Sequence, residues 1–270
     1  MSRRFYFISG LPRSGSTLLG AVLAQNPRFH AGMTSPLGGM FEALLEELSA
    51  KNEFSVLFDD AARQRVLRGL FDNYYADRSA EVIFDTNRTW CAHMTALTEL
   101  FPDTRVIACV RDLPWVIDSI ERVISQNSLS PSSIFNHTAQ GTVYTRATGV
   151  TSSNGLVGYA YDALKQAYYS EQANRLILVQ YETLVRDPSH TLAAIYDFLG
   201  EAHFAHDFER IEFDDRGFDA NIGTPGLHRV RARVAPAARA TVLPPDLFNR
   251  FENLAFWHDP QGNLRGVCVV

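Results

Sequence analysis

Residues 5–17 read Phe5-Tyr6-Phe7-Ile8-Ser9-Gly10-Leu11-Pro12-Arg13-Ser14-Gly15-Ser16-Thr17, an apolar run that gives way to glycine, proline, arginine and hydroxyl side chains. Phe5–Ser9 has the character of a strand buried on both faces. Gly10–Thr17 then reads as a tight polar turn and Leu18–Gln25 as a helix. In such a strand–loop–helix unit, glycines let backbone N–H groups converge on an anion, and the helix N-terminus adds partial positive charge. Ser14, Ser16 and Thr17 supply hydroxyl donors and Arg13 a full charge. An anion-binding loop is expected here, although a plain glycine turn joining strand to helix would need some of the same residues.

Outward from this unit the alternation repeats. Glu81–Phe84, Arg105–Val110 and Arg175–Gln180 are further apolar strands. Met40–Leu48, Ala61–Tyr75, His93–Leu100, Pro114–Ser125 and Gly158–Ala173 have helical character, with Asp112 placed to cap the fourth of these. Asp187-Pro188 opens another helix as cap and first residue. Leu192, Ile195, Tyr196 and Leu199 form its apolar stripe, and Gly200 ends it. A last helix is expected near Asp246–Ala255. Strands buried on both faces and alternating with amphipathic helices predict an α/β fold with a central parallel sheet flanked by helices. No linker divides residues 1–270, so one domain is expected, with ligands beyond the carboxyl ends of the strands. Residues 127–154 are rich in Ser, Thr, Asn and Gly and read as a long surface segment, either a lid or acceptor element or an ordinary insertion.

Of the 25 basic side chains only Lys51 and Lys165 are lysines, so 23 are arginines, whose planar fork suits oxyanions. A net charge of −5 argues against broad nucleic-acid binding and leaves a local arginine pocket as the place for an anion. Cys91, Cys109 and Cys268 are few, odd in number and without metal-ligand spacing, which fits a reduced, cytoplasmic protein. The apolar run after Arg3 and Arg4 is too short for a secretory signal, and no stretch approaches the ~20 apolar residues of a membrane span.

The loop matches G-x-x-x-x-G, but Ser16 stands where the nucleotide-triphosphatase motif has lysine. Pro12-Arg13-Ser14-Gly15-Ser16-Thr17 resembles instead the P-[KR]-S-G-[ST]-T loop of sulfotransferases that use 3′-phosphoadenosine-5′-phosphosulfate (PAPS), in the branch that includes the tyrosylprotein sulfotransferases. The resemblance implies a P-loop-type three-layer fold, a loop that holds the 5′-phosphosulfate, 3′,5′-adenosine bisphosphate (PAP) as product, and no metal. Arg111, at the end of a strand, and Ser119, eight residues on, map onto the family's 3′-phosphate motif; alone the pair could be a surface arginine beside Asp112 and a helix serine. Tyr181-Glu182-Thr183-Leu184 resembles the family's Y-E-x-L segment, where the tyrosine frames the nucleotide, or supplies a core tyrosine. Gly223–Arg233, with Arg229 and Arg231, resembles a late loop that closes on the donor near 221–233; both arginines could equally be solvated.

Sulfuryl transfer shares the logic of phosphoryl transfer: the protein positions the groups and neutralises developing charge. A base is needed because even a phenol has a pKa of ~10. The branch's glutamate after the first helix is missing from Ala31-Gly32-Met33-Thr34-Ser35-Pro36, and its lysine after the second strand is missing from Asp85-Thr86-Asn87-Arg88. Arg88 is the candidate for the lost positive charge. Asp85, His228, His137 and Glu42 are candidates for the base, each with a bland alternative as a helix cap or surface group. Met33–Met40, Arg88–Trp90 and part of 127–154 are expected to line the acceptor pocket.

The reading is a sulfotransferase acting on a small-molecule or peptide acceptor through a hydroxyl or amine, with no nucleic-acid or membrane partner and homo-oligomers possible. Two rivals stand beside it. One is a P-loop kinase or nucleotidase, supported by Glu81–Asp85 as a strand ending in a magnesium-holding aspartate. The other is a nucleotide-binding protein without catalysis.

Overall fold

The computed structural model describes residues 3–49, 53–129, 141–213 and 216–270. Six strands form one parallel sheet: β1 (Arg4–Gly10), β2 (Phe29–Ala31), β3 (Val82–Thr86), β4 (Val106–Val110), β5 (Leu176–Gln180) and β6 (Cys268–Val269), in the order β2-β3-β1-β4-β5-β6. Strand β1 is central: it pairs Phe7 with Asp85 of β3 on one side and with Val106 of β4 on the other.

Alternate residues of β1 feed two cores, as the period of two in a strand requires. Phe5 and Phe7 join Phe71, Trp90 and Phe101 on one face. That face is covered by α2 (Leu37–Glu47), α3 (Asp60–Tyr74), α4 (Met94–Leu100), α5 (Leu113–Gln126), α6 (Val143–Thr151), α7 (Leu156–Tyr169) and, after the last long loop, α11 (Pro245–Phe251). Tyr6 and Ile8 face α1 (Ser16–Leu23), α8 (Tyr181–Arg186) and α9 (Pro188–Leu199) on the other. The α9 stripe Leu192, Ile195, Tyr196 and Leu199 is buried there. Asp187 caps α9 by accepting from the His190 N–H at 3.0 Å, and Gly200 closes it at φ 69°.

The chain leaves β1 for the sheet edge, returns through β3 beside β1, and then crosses to β4. Helix α1 packs on one face and α5 on the other, so the loops after β1 and β4 part from each other. This is the switch point at which open α/β sheets hold ligands.

Several elements differ from the sequence-based expectation. Within 127–154, residues 143–151 form α6, with Thr142 as its cap and Arg146 in a 2.6 Å ion pair with buried Glu121. Tertiary contacts stabilise a helix whose polar composition hides it. Asp112 makes no cap bond to α5; its carboxylate lies 3.4 Å from His258. Strands β2 and β6, helix α8 and a short α10 (Arg216–Asn221) carry too few residues for a periodic pattern. Lys165 is exposed on α7, while Lys51 and His137 lie outside the described residues. Among the described residues, no helix is long and apolar enough to cross a membrane.

Candidate active site

The loop after β1 is shaped by backbone that ordinary residues avoid. Gly10 has φ 101°, and a Cβ there would collide with the backbone of Cys109. The Leu11 N–H donates to the Cys109 carbonyl at 2.9 Å, tying the loop to β4. Arg13 has φ 62° and Gly15 φ 96°, so successive N–H groups turn toward one side, as in an anion nest. Helix α1 begins at the next residue. The Ser14 hydroxyl does not join that ring of donors; it is buried against the carbonyls of Leu11 and Cys109, the latter at 2.8 Å. It tethers the loop instead.

Above the loop lies a cleft of about 410 Å³. Pro12, Arg13, Gly15, Ser16 and Thr17 line it from β1–α1, Asn87 and Arg88 from beyond β3, Arg111 and Ser119 from β4–α5, and Tyr181 from the start of α8. Residues 227–231 with Arg233 and Arg239 complete the wall. Seven arginines stand on its described walls, and not one aspartate or glutamate.

The arginines are held in three ways. Arg13 donates from Nε to the Ser119 hydroxyl at 3.0 Å. Burial pushes its guanidinium down to about 10; Asp219 opposes that shift and the nearby cations Arg239 and Arg111 add to it. Arg111 donates to Glu182 at 3.0 Å and lies 4.2 Å over the Tyr181 ring. Tyr181 in turn packs on the loop, since a Cβ on Gly15 would come within 2.9 Å of it. Arg239 is anchored 2.7 Å from buried Asp118 and near the Trp115 ring, yet its buried Nε has no partner among the described residues. Arg229 and Arg231 stand exposed on the rim.

His228 enters the cleft with a defined orientation. Its Nδ1 lies 2.6 Å from Asp219 Oδ1, and its backbone N–H donates to Asp219 Oδ2 at 2.7 Å. With Nδ1–H given to the carboxylate, Nε2 carries the free lone pair. Arg88 is exposed at the cleft and its guanidinium has no hydrogen bond among the described residues; partial desolvation pushes its pKa down while Glu42 and Tyr159 oppose that.

Asp85 is not in this cleft. Its carboxylate is buried and accepts from Tyr75 at 2.7 Å, Trp90 Nε1 at 2.7 Å and Ser35 at 2.9 Å. The pleat of β3 sends Ile83 and Asp85 to the aromatic core, where both carboxylate oxygens are engaged by core side chains. Glu42 lies outside the wall as well, 3.0 Å from His93 and 3.5 Å from the Tyr159 hydroxyl. Of the expected acceptor lining, Met33, Thr34 and Arg88 reach the cleft, whereas Trp90 is core.

Three residues escaped the sequence reading. Asp219 orients His228 from nine positions upstream, across a turn that no spacing pattern encodes. Arg239 lies beyond the basic loop, and Asp118, which holds it, looks like one polar residue in an amphipathic helix.

The model of the sulfotransferase family matches residues 6–205 of this chain. No curated protein sequence matches it. Among solved structures, the sulfotransferase domain from the curacin biosynthetic pathway is 18% identical, with 94% of this chain and 92% of that one covered and a TM-score of 0.53. A sulfotransferase from Alicyclobacillus acidocaldarius is 18% identical over 82% of this chain and 93% of its own, with a TM-score of 0.47. The sulfotransferase domain from the Synechococcus PCC 7002 olefin synthase is 20% identical over 93% and 94%, with a TM-score of 0.46. The first of these has the same fold.

Proposed function

The chain belongs to the sulfotransferase family, and from that premise we propose that it transfers a sulfuryl group from PAPS to a hydroxyl or amine. The observation that carries the donor assignment is the cleft wall of seven arginines without a carboxylate, centred on a glycine loop at a helix N-terminus. A ligand carrying several phosphate or sulfate groups suits this wall, where Arg13 beside the start of α1 donates to Ser119 and is flanked by Arg111 and Arg239.

In the proposed reaction the acceptor oxygen attacks sulfur in line while the bond from sulfur to the bridging oxygen breaks and PAP departs. His228 Nε2 takes the acceptor proton, and Asp219 holds the ring in that tautomer and offsets the imidazolium charge. Arg88 and the loop N–H groups neutralise charge on the leaving and equatorial oxygens. The rival phosphoryl-transfer reading loses its best support, because Asp85 is committed to Tyr75, Trp90 and Ser35.

The test is transfer of radiolabelled sulfate from PAPS to a panel of alcohols, phenols and amines. The wild-type chain is expected to label at least one class, and His228→Ala to lower kcat by about 10²-fold or more while PAP affinity stays within a few-fold. Asp219→Asn should lower kcat less, by about tenfold, through the wrong tautomer. A chain that binds PAP and labels nothing is a binding protein, and full turnover in His228→Ala removes that residue as base.

A further inference from the structure

Two hollows continue from the donor cleft along the β2 edge of the sheet. The first, about 490 Å³, shares Met33, Thr34 and Thr86 with the cleft and is otherwise framed by His30, Tyr75 and Phe213. The second, about 600 Å³, is a furrow between α2 and α3, and Tyr74 lines both hollows. The furrow is walled by Met40, Leu44, Val66 and Leu70.

Helices α2 and α3 bury their inner stripes, including Phe41, Leu67 and Phe71. Their furrow side chains stay open: Met40 is 45% exposed, Val66 39% and Tyr74 44%. A single exposed apolar residue needs no explanation, but several along one furrow that leads to a reaction cleft mark a contact for something apolar. Charge narrows the occupant further. The furrow's one charged wall residue is Arg65, and the first hollow has Arg78 beside Asp77 at 3.6 Å, so nothing there favours a cation.

We propose that this route holds the acceptor: its hydroxyl end at Met33 and Thr34 beside the glycine loop, its aliphatic chain passing Tyr74 into the α2–α3 furrow. The acceptor class is then a long-chain, uncharged or anionic alcohol, not a sugar or a peptide tyrosine. The proposal rests on the reading of the cleft as a sulfuryl-donor site.

The experiment measures kcat/KM for 1-butanol, 1-hexanol, 1-octanol and 1-decanol with PAPS, in the wild-type chain and in Gly69→Trp. Gly69 borders the furrow, and a Cβ there would meet only the Asn73 amide, at an ordinary contact distance of 3.8 Å, so an indole can enter the furrow, and tryptophan is the better helix former. Transfer of one methylene from water to an apolar surface favours binding about two- to fourfold. The wild type is therefore expected to favour decanol over butanol by about 50-fold or more, and Gly69→Trp to shrink that ratio to about threefold or less. Calorimetric PAP affinity, measured in parallel, should be the same in both. A flat series in the wild type, an unchanged ratio in Gly69→Trp, or no transfer to any alkanol by a chain that binds PAP overturns the proposal. A chain that does not bind PAP overturns the donor reading instead. The furrow is then read by 1-decanol alone: a thermal shift in the wild type but not in Gly69→Trp supports an apolar-chain site, and equal shifts refute it.

Discussion

At Arg13, two unfavourable features coincide. Its backbone lies at φ 62°, a conformation that costs an L-residue roughly 1–2 kcal/mol, and its guanidinium, partly withdrawn from water, sits beside other cations. A base whose folded pKa lies below its unfolded value is a charge that the fold disfavours at neutral pH. Arg13→Gly should therefore raise the melting temperature of the ligand-free chain, by about 1 kcal/mol in stability, while weakening PAP about 100-fold. Scanning calorimetry with and without PAP reads both effects; a less stable ligand-free variant contradicts the strain argument. Strain kept at a residue that the fold does not need points to its use with a ligand.

Asp85 teaches the opposite lesson. Burial raises its carboxyl above the usual 3.8, against the hydrogen bonds from Tyr75, Ser35 and Trp90. Such a group holds its proton more tightly when folded, so its contribution to stability falls as pH rises from near 4 through the folded pKa. Asp85→Asn removes that slope, so its stability relative to the wild type should improve toward neutral pH, with turnover retained. Asp85→Ala leaves three buried donors without an acceptor and should cost about 3 kcal/mol or more. Urea titrations across pH 4–8 check both. A strand-end aspartate reads the same in the sequence whether it faces ligand or core. Only its parity with Ile83, and the need of Trp90 Nε1 for a partner, decide the matter.

At the scale of elements, α5 does more than cover the sheet. Asp118 holds Arg122 at 3.0 Å and Arg239 at 2.7 Å through one oxygen, and Thr241 Oγ1 at 3.1 Å and the Val242 N–H at 2.7 Å through the other. One buried carboxylate thus straps residues 239–242 to the helix that also presents Ser119. Asp118→Ala leaves two arginines without their counter-charge and should destabilise the chain by about 3–5 kcal/mol. Asp118→Asn keeps the shape and should mainly loosen Arg239, weakening PAP about tenfold with less effect on 5′-AMP, which lacks the 3′-phosphate. Equal losses for the two nucleotides in calorimetry would place Arg239 elsewhere. The strands and long helices were legible because burial on two faces and 3.6-residue stripes leave strong patterns. The strap, β2 and α6 were not, because they depend on partners far along the chain.

For the whole molecule, strand order does what no single motif can. It brings the ends of β1, β3, β4 and β5 around one crevice, so that residues 100 or more positions apart, such as Arg13 and Ser119, meet at 3.0 Å. The scarcity of lysine takes on a geometric meaning here, since the cleft is walled by arginine alone among the cations that stay charged at every working pH. The crevice is proposed to take a nucleotide with phosphate at both the 3′ and 5′ positions. Isothermal calorimetry with PAP, 5′-AMP and Mg-ATP tests this assignment most directly. PAP is expected to bind without magnesium, at least about 100-fold tighter than 5′-AMP, with that binding lost in Arg111→Ala. Preference for Mg-ATP, or PAP no tighter than 5′-AMP, would contradict it.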